Sequence, residues 1–243
     1  MNTEGKVALV TGGARRVGRA LSLALARAGA DVIVHYNRSA DDAKSVAAEI
    51  IALGKRAVPV QADLSRAAEI PPLIEAARRE FGRLDILVNS AATFESARFL
   101  EITESAWDEV FAVNLKAPFL LMQAAAPLLS EAEGGVIVNI ADLSAFQPWP
   151  SYAHHASSKA ALVHLTRVAA RALAPVVRVN CIAPGTVLPP EDYTGKGGDG
   201  SSDRRLVSPA GSPEHVARAL LYLIESDFVT GQTLVVDGGR MQL

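Results

Sequence analysis

Thr11-Gly12-Gly13-Ala14-Arg15-Arg16-Val17-Gly18 is a glycine-rich turn of the kind that lets backbone approach a pyrophosphate closely. Where such a turn opens a helix, the helix N-terminus adds N–H donors and a dipole that favours an anion. In a dinucleotide fold that takes NAD, an acidic residue ending the second strand binds the ribose hydroxyls. Here His35-Tyr36-Asn37-Arg38-Ser39 stands in that place. Arg38 and Ser39, with Arg15 or Arg16 nearby, can give a 2′-phosphate charge-assisted hydrogen bonds, which selects NADP(H). The alternative for Arg38 is a solvated surface charge. Asp63 is placed to reach the adenine edge or to cap the next helix, and it can do both. A third cluster, Tyr152-Ala153-His154-His155-Ala156-Ser157-Ser158-Lys159, sets His155 and Lys159 four residues apart, on one helix face.

The elements that must position these groups alternate along nearly the whole chain. Short β-branched runs at 7–10, 31–35, 57–60, 84–88, 136–140, 176–181 and 233–236 read as strands. They are nearly continuously apolar, hence buried on both faces of a sheet covered by helices. Helical spacing occupies 19–28, 41–53, 67–81, 106–129, 156–173 and 213–224, with Gly29 and Gly54 where helix-ending glycines belong. The expected architecture is α/β: one doubly wound Rossmann domain over 1–243 with a mainly parallel seven-stranded sheet. Residues 94–105 read as a loop at the carboxyl edge of the sheet. Residues 186–212, with the run Gly195 to Ser202, read as a substrate loop or a surface insertion.

Composition excludes several function classes. The 243 residues carry 24 Lys+Arg and 26 Asp+Glu, a formal net charge of −2, which argues against binding nucleic acid through excess positive charge. Hydrophobic residues at 49% and charged residues at 21% describe a globular chain. The single cysteine, Cys181, excludes an internal disulfide framework and suits a reducing cytoplasm. The apolar stretch 117–129 is interrupted by Pro118, Gln123 and Pro127, short of the ~18 residues of a membrane span. His154 and His155 diverge on a helix and lack supporting carboxylates, so no metal site is expected. Phe94, Phe146, Trp149, Tyr152 and Tyr193 fall in or beside the loops expected to form a pocket.

Thr11-Gly12 to Gly18, Asp63, Asn89-Ser90-Ala91-Ala92, Asn114, Lys159, Pro184-Gly185 and Thr230-Gly231-Gln232 to Asp237-Gly238-Gly239 occur in an order that resembles the short-chain dehydrogenase/reductase family. The resemblance covers essentially the whole chain. It implies an oxidoreductase whose cofactor contacts also include Val17, Leu64, Asn89, Ser90, Ala91, Lys159, Pro184, Gly185 and Thr186. It further implies a homotetramer built through helices 106–129 and 156–173, and a water-holding role for Asn114 that links Lys159 to solvent. Within the family the chain is most similar to pteridine reductases. Arg16 stands at a position where most members have glycine and pteridine reductases have arginine. Asp142 stands where most have a catalytic serine and pteridine reductases have aspartate. Phe94 matches an aromatic that sandwiches the pterin, and Tyr152 a substrate-pocket tyrosine. Chemically, Phe94 can offer a stacking face, with ordinary packing as its alternative, and Asp142 and Arg16 can offer polar groups.

One departure bears on the chemistry. The family's proton donor is a tyrosine four residues before the lysine, and here that residue is His155. Three readings follow. His155 donates the proton itself, although imidazole is roughly 2 Å shorter than phenol and a misplacement of ~1 Å can cost about 100-fold. Alternatively Asp142 donates, kept protonated by an apolar pocket and assisted by Tyr152. In the third, the chain binds NADPH with impaired turnover. A carbonyl or 3-oxoacyl reductase is the alternative activity, and the missing tyrosine and Asp142 argue against it. Reduction of a dihydropterin C=N bond leaves a basic nitrogen, so it demands less of the proton donor than reduction of a ketone, where an alkoxide develops.

Overall fold

The computed structural model describes residues 1–131, 134–188, 205–207 and 211–243. The Gly195–Ser202 run and Tyr193 lie outside the described residues. Seven strands form one sheet: β1 (Val7–Val10), β2 (Asp31–Tyr36), β3 (Ala57–Gln61), β4 (Ile86–Asn89), β5 (Gly135–Ile140), β6 (Val177–Pro184) and β7 (Thr233–Val236). Their order is β3-β2-β1-β4-β5-β6-β7, and every pairing is parallel, so the sheet is wholly rather than mainly parallel. The chain reverses its direction of winding between β1 and β4. In open sheets of this kind ligands bind at that point, beyond the carboxyl ends of the strands.

Helices cover both faces. On one, α1 (Arg16–Arg27), α2 (Ala40–Ala52) and α7 (Pro213–Glu225) pack Leu21, Leu25, Val46, Ile50, Leu220 and Leu223 against Val10, Val32, Val34 and Val88. On the other, α3 (Ile70–Phe81), α5 (Ala117–Glu131) and α6 (Ala153–Leu173) bury Leu73, Leu121, Leu129 and Ala169 against Leu9, Ile33, Leu87 and Ile137. Alternate residues of each strand therefore serve opposite layers, which is why the strands read as unbroken apolar runs.

Departures from the sequence reading have local causes. The helix expected over 67–81 is a 3-10 turn (Ala67–Glu69) followed by α3, because Pro71 and Pro72 lack N–H donors and fit only a first turn. The loop expected to run to residue 105 ends earlier. It holds a 3-10 turn (Phe99–Glu101), and α4 (Glu104–Phe111) begins where Thr103 Oγ1 accepts the Ala106 N–H at 3.2 Å. The helix expected over 106–129 is interrupted by a π-helical stretch, Ala112–Lys116, just before Pro118, which has no N–H to close an α turn on Asn114. By length and composition alone, Glu104–Glu131 could cross a membrane, contrary to the reading of residues 117–129. In the fold its Leu121, Met122, Ala125, Leu128 and Leu129 are buried against the sheet. Strand β6 runs past Cys181 because Ile182, Ala183 and Pro184 pair with Leu234, Val235 and Val236.

Candidate active site

The glycine turn is fixed by the side chains of Thr11, just after β1, and His35 in β2, and by the backbone at the end of β4. Gly12 has φ +62, and a Cβ there would lie 3.0 Å from the Cα of Ala91. A Cβ on Gly18 would sit 2.0 Å from the Gly12 carbonyl, so backbone packing admits only glycine there. Thr11 Oγ1 accepts the N–H groups of Ser90 (2.9 Å) and Ala91 (3.1 Å) and donates to the Val88 carbonyl, tying the turn to the end of β4. His35 is buried rather than turned to a ligand. Its Nδ1 accepts the Gly12 N–H at 3.0 Å and its Nε2 donates to the Ala62 carbonyl at 3.0 Å. Burial pushes this imidazole down to about 4, against a smaller opposing pull from the Ala62 hydrogen bond. His35 therefore supports the cofactor turn from behind.

A cleft of about 390 Å³ opens over the turn, lined by Gly12, Arg15, residues 35–39, Asp63, Leu64 and Ala91, as the sequence reading expected. It is also lined by Thr93, Glu95 and Glu109, which that reading did not assign to it. Among the described residues, no hydrogen bond or ion pair engages the Arg38 guanidinium. Asp63 Oδ1 accepts from the Ser65 hydroxyl (2.7 Å) and N–H (3.0 Å). The Ser65 side chain is the main cause that lowers the Asp63 carboxyl; slight burial opposes it, and Arg66 and Arg38 add to the lowering. Asp63 thus closes its own turn, while Arg66 precedes the following 3-10 helix. Helix α1 begins with no side-chain cap and no acidic residue in its first turn, leaving its N–H donors to an anion.

Other expected cofactor residues lie outside that cleft. Val17 packs against the core. Asn89 is buried, donating to Asn139 Oδ1 at 2.8 Å, and its own Oδ1 has no partner. Gly185 N donates to the Val236 carbonyl (2.9 Å), and Thr186 Oγ1 accepts from Arg240 (2.6 Å). Arg16 has φ +50, the left-handed backbone that explains why glycine suits this position, and its guanidinium donates to the Leu188 carbonyl at 3.2 Å.

The acid–base groups converge where α6 meets the carboxyl end of β5. Lys159 is buried and donates from Nζ to the Ile140 carbonyl at 2.8 Å. Burial lowers its ammonium, with Asp142 and Cys181 pulling the other way. His155 Nε2 lies 2.6 Å from Asp142 Oδ2, and Nδ1 lies 3.0 Å from the Thr93 carbonyl. Asp142 Oδ1 accepts from the N–H and hydroxyl of Ser144. Burial alone would raise the Asp142 carboxyl, as the sequence reading assumed. The His155 hydrogen bond, the charges of Lys159 and His155 and the Ser144 hydroxyl outweigh it and hold the group below its ordinary value. Asp142 is thus a carboxylate at rest, not a standing acid.

Asn114, in the π-helical stretch, touches Thr93, Ser158 and His155; among the described residues no hydrogen bond joins it to Lys159. Phe94 stacks on Tyr152 with centroids 4.5 Å apart and planes at 14°, and meets His155 in a T-shaped contact at 4.7 Å and 84°. Trp149 meets Tyr152 edge-on at 6.0 Å, whereas Phe146 is exposed. No group of His, Cys, Asp and Glu among the described residues could hold a metal. Thr93 was missed because its contribution is a backbone carbonyl, which side-chain identity cannot reveal.

Residues 12–240 match the family described as enoyl-(acyl carrier protein) reductase. An uncharacterized oxidoreductase of Methylorubrum extorquens is 37% identical over 97% of this chain and 98% of that protein. A 3-oxoacyl-[acyl-carrier-protein] reductase of Staphylococcus epidermidis is 33% identical over 96% of this chain and 98% of that protein. The crystal structure of a short chain dehydrogenase from Burkholderia cenocepacia in complex with NADP superposes with a TM-score of 0.92 at 35% identity, covering 99% of this chain and all of that one.

Proposed function

This chain belongs to the short-chain dehydrogenase/reductase family, and from that membership we propose an NADPH-dependent reductase whose substrate is a pterin or dihydropterin. The chain is an NADP-dependent oxidoreductase, in keeping with its relatives. The glycine cradle, the uncapped start of α1 and Arg38, at the cleft and near Asp63, fit the pyrophosphate and 2′-phosphate. Bound there, NADPH supplies the hydride. Lys159 holds the nicotinamide ribose, Arg16 and Phe94 orient the substrate, and Asp142 delivers the proton.

The observation that supports a flat heteroaromatic substrate is the Phe94–Tyr152 stack, whose Phe94 ring meets His155, the partner of Asp142. Phe94 gives one face to Tyr152 yet stays 45% exposed, so it offers apolar area for a planar ring one residue away from the His155–Asp142 pair. A C=N bond that accepts hydride leaves a basic nitrogen, which a carboxyl-centred donor can serve. The second reading is 3-oxoacyl reduction, favoured by the Staphylococcus epidermidis relative. Self-association into a homotetramer is part of the proposal. A groove of about 750 Å³ along α4, α5 and α6, lined by Phe111, Leu115, Phe119, Leu165 and Val168, gives apolar area for it. Cytoplasmic residence accords with the lone, buried Cys181.

NADPH oxidation measured with 7,8-dihydropterins, quinonoid dihydropterin and an acetoacetyl thioester decides between the readings. Pterins should turn over faster than the thioester, and Asp142→Ala should abolish that turnover. A preference for the thioester overturns the pterin assignment.

A further inference from the structure

We infer that His155 stores the reaction's proton on Nε2, behind Asp142, and that the Thr93 carbonyl holds the ring in that state; this rests on the reductase reading. The chain of donors fixes the Nδ1 end of the ring. Thr93 N–H donates to Asn114 Oδ1 at 2.8 Å, which fixes the orientation of that amide. Ser158 Oγ donates to the His155 carbonyl at 2.6 Å and is therefore open to accept. Asn114 Nδ2 then commits its two hydrogens to the Thr93 carbonyl (3.0 Å) and Ser158 Oγ (3.2 Å). None remains for His155 Nδ1, 3.3 Å away, so Nδ1 is itself the donor to the Thr93 carbonyl at 3.0 Å. With Nδ1 committed, proton exchange on this ring takes place at Nε2, 2.6 Å from Asp142 Oδ2.

Exposure sets the order of the two groups. The Asp142 side chain is 22% exposed and that of His155, in T-shaped contact with Phe94, only 2%. A substrate therefore meets Asp142 first. The Nε2–H bond breaks as an Oδ2–H bond forms, and that bond breaks in turn as the proton passes to the basic atom of the substrate. What remains is an Asp142 carboxylate and a neutral His155 still carrying Nδ1–H, which water reloads through Asp142. No protein group changes oxidation state. The charged and titratable groups around the ring are Asp142, Lys159 and His154, with Glu95 facing His154.

The test begins on the resting protein. In protein carrying ¹⁵N-histidine, with His155 assigned through His155→Gln or, should that misfold, His155→Tyr, both ring nitrogens should show proton-bearing shifts at neutral pH. An unprotonated Nδ1 overturns the inference whether or not the protein turns over. Asn114→Ala should loosen the Nδ1–H bond to the Thr93 carbonyl and move the Nδ1 signal, and an unchanged signal would remove Thr93 and Asn114 from the lock. In turnover, glutamine at 155 can still donate to Asp142 but cannot surrender a proton. At neutral pH, kcat should fall about 100-fold with the NADPH KM unchanged. Activity should return as the pH drops and Asp142 takes up its own proton. A His155→Gln profile that matches wild type overturns the storage role. Absence of wild-type turnover with every pterin defeats the pterin reading and leaves the ¹⁵N shifts to decide the proton's place.

Discussion

The rings of Phe94 and Tyr152 lie 4.5 Å apart and within 14° of parallel, joining the loop after β4 to the start of α6. The Ala97 N–H donates to the Ser151 carbonyl at 2.9 Å beside them, so backbone and rings bind the same two segments. Phe94→Ala should raise the KM of a flat dihydropterin about tenfold, in line with an aromatic contact of about 1 kcal/mol plus lost area, and leave that of a small ketone nearly unchanged. Equal effects on both substrates would assign Phe94 to packing alone.

Arg38 should carry the cofactor preference. A charge-assisted hydrogen bond contributes about 1.5–3 kcal/mol, so Arg38→Ala should weaken NADPH roughly 10- to 100-fold and leave NADH within about threefold. Titration of both nucleotides against the purified variant reads this directly. An unchanged preference would return Arg38 to the role of a solvated charge.

Arg16 sets stability against function. Its φ of +50 costs a non-glycine residue roughly 1 kcal/mol, and glycine would relieve it. Arg16→Gly should therefore raise Tm by about 2 °C and also raise the pterin KM, since the guanidinium is lost. A lower Tm would show that the bond to the Leu188 carbonyl outweighs the strain.

His35 makes the fold sensitive to acid. Folded, its imidazole is pushed by burial from 6.5 to about 4. Between those values only the unfolded chain binds the proton. Its contribution to stability is whole above about pH 6.5 and diminishes as the pH falls toward 4, by about 3 kcal/mol in all. Urea unfolding across this range should show the slope. His35→Asn keeps an acceptor for the Gly12 N–H but does not titrate, and should flatten it. A slope equal to wild type would place the acid sensitivity elsewhere.

The strands, the helices and the glycine turn were legible because each announces itself within a few residues, through apolar runs, helical spacing or a required glycine. Half of the residues expected to hold the cofactor line the cleft, since a βα turn and the end of β2 must meet at the sheet edge. What stayed hidden depends on partners distant in sequence. His35 looks like a ligand residue until Ala62 and Gly12 are seen to occupy both of its nitrogens. Asp142 looks like an acid in an apolar pocket until His155 and Lys159 are seen beside it. Asn114, in the π-helical turn, matched a known position, but its hydrogen bonds join it to Thr93, 21 residues earlier, a partner that helical spacing does not reveal.

That turn has a further consequence. Each residue advances an α-helix by about 100° of rotation, so the extra residue in the π turn resets the phase of everything after it. Residues 104–111 and 117–131 behave as two helices whose faces are set independently. One turns Phe111 to the outer groove, and the other turns Leu121 and Leu129 to the sheet. Deleting a single residue between 112 and 116 would shorten the chain by one position, yet it would swing Asn114 off Thr93 and rotate a whole interface out of register.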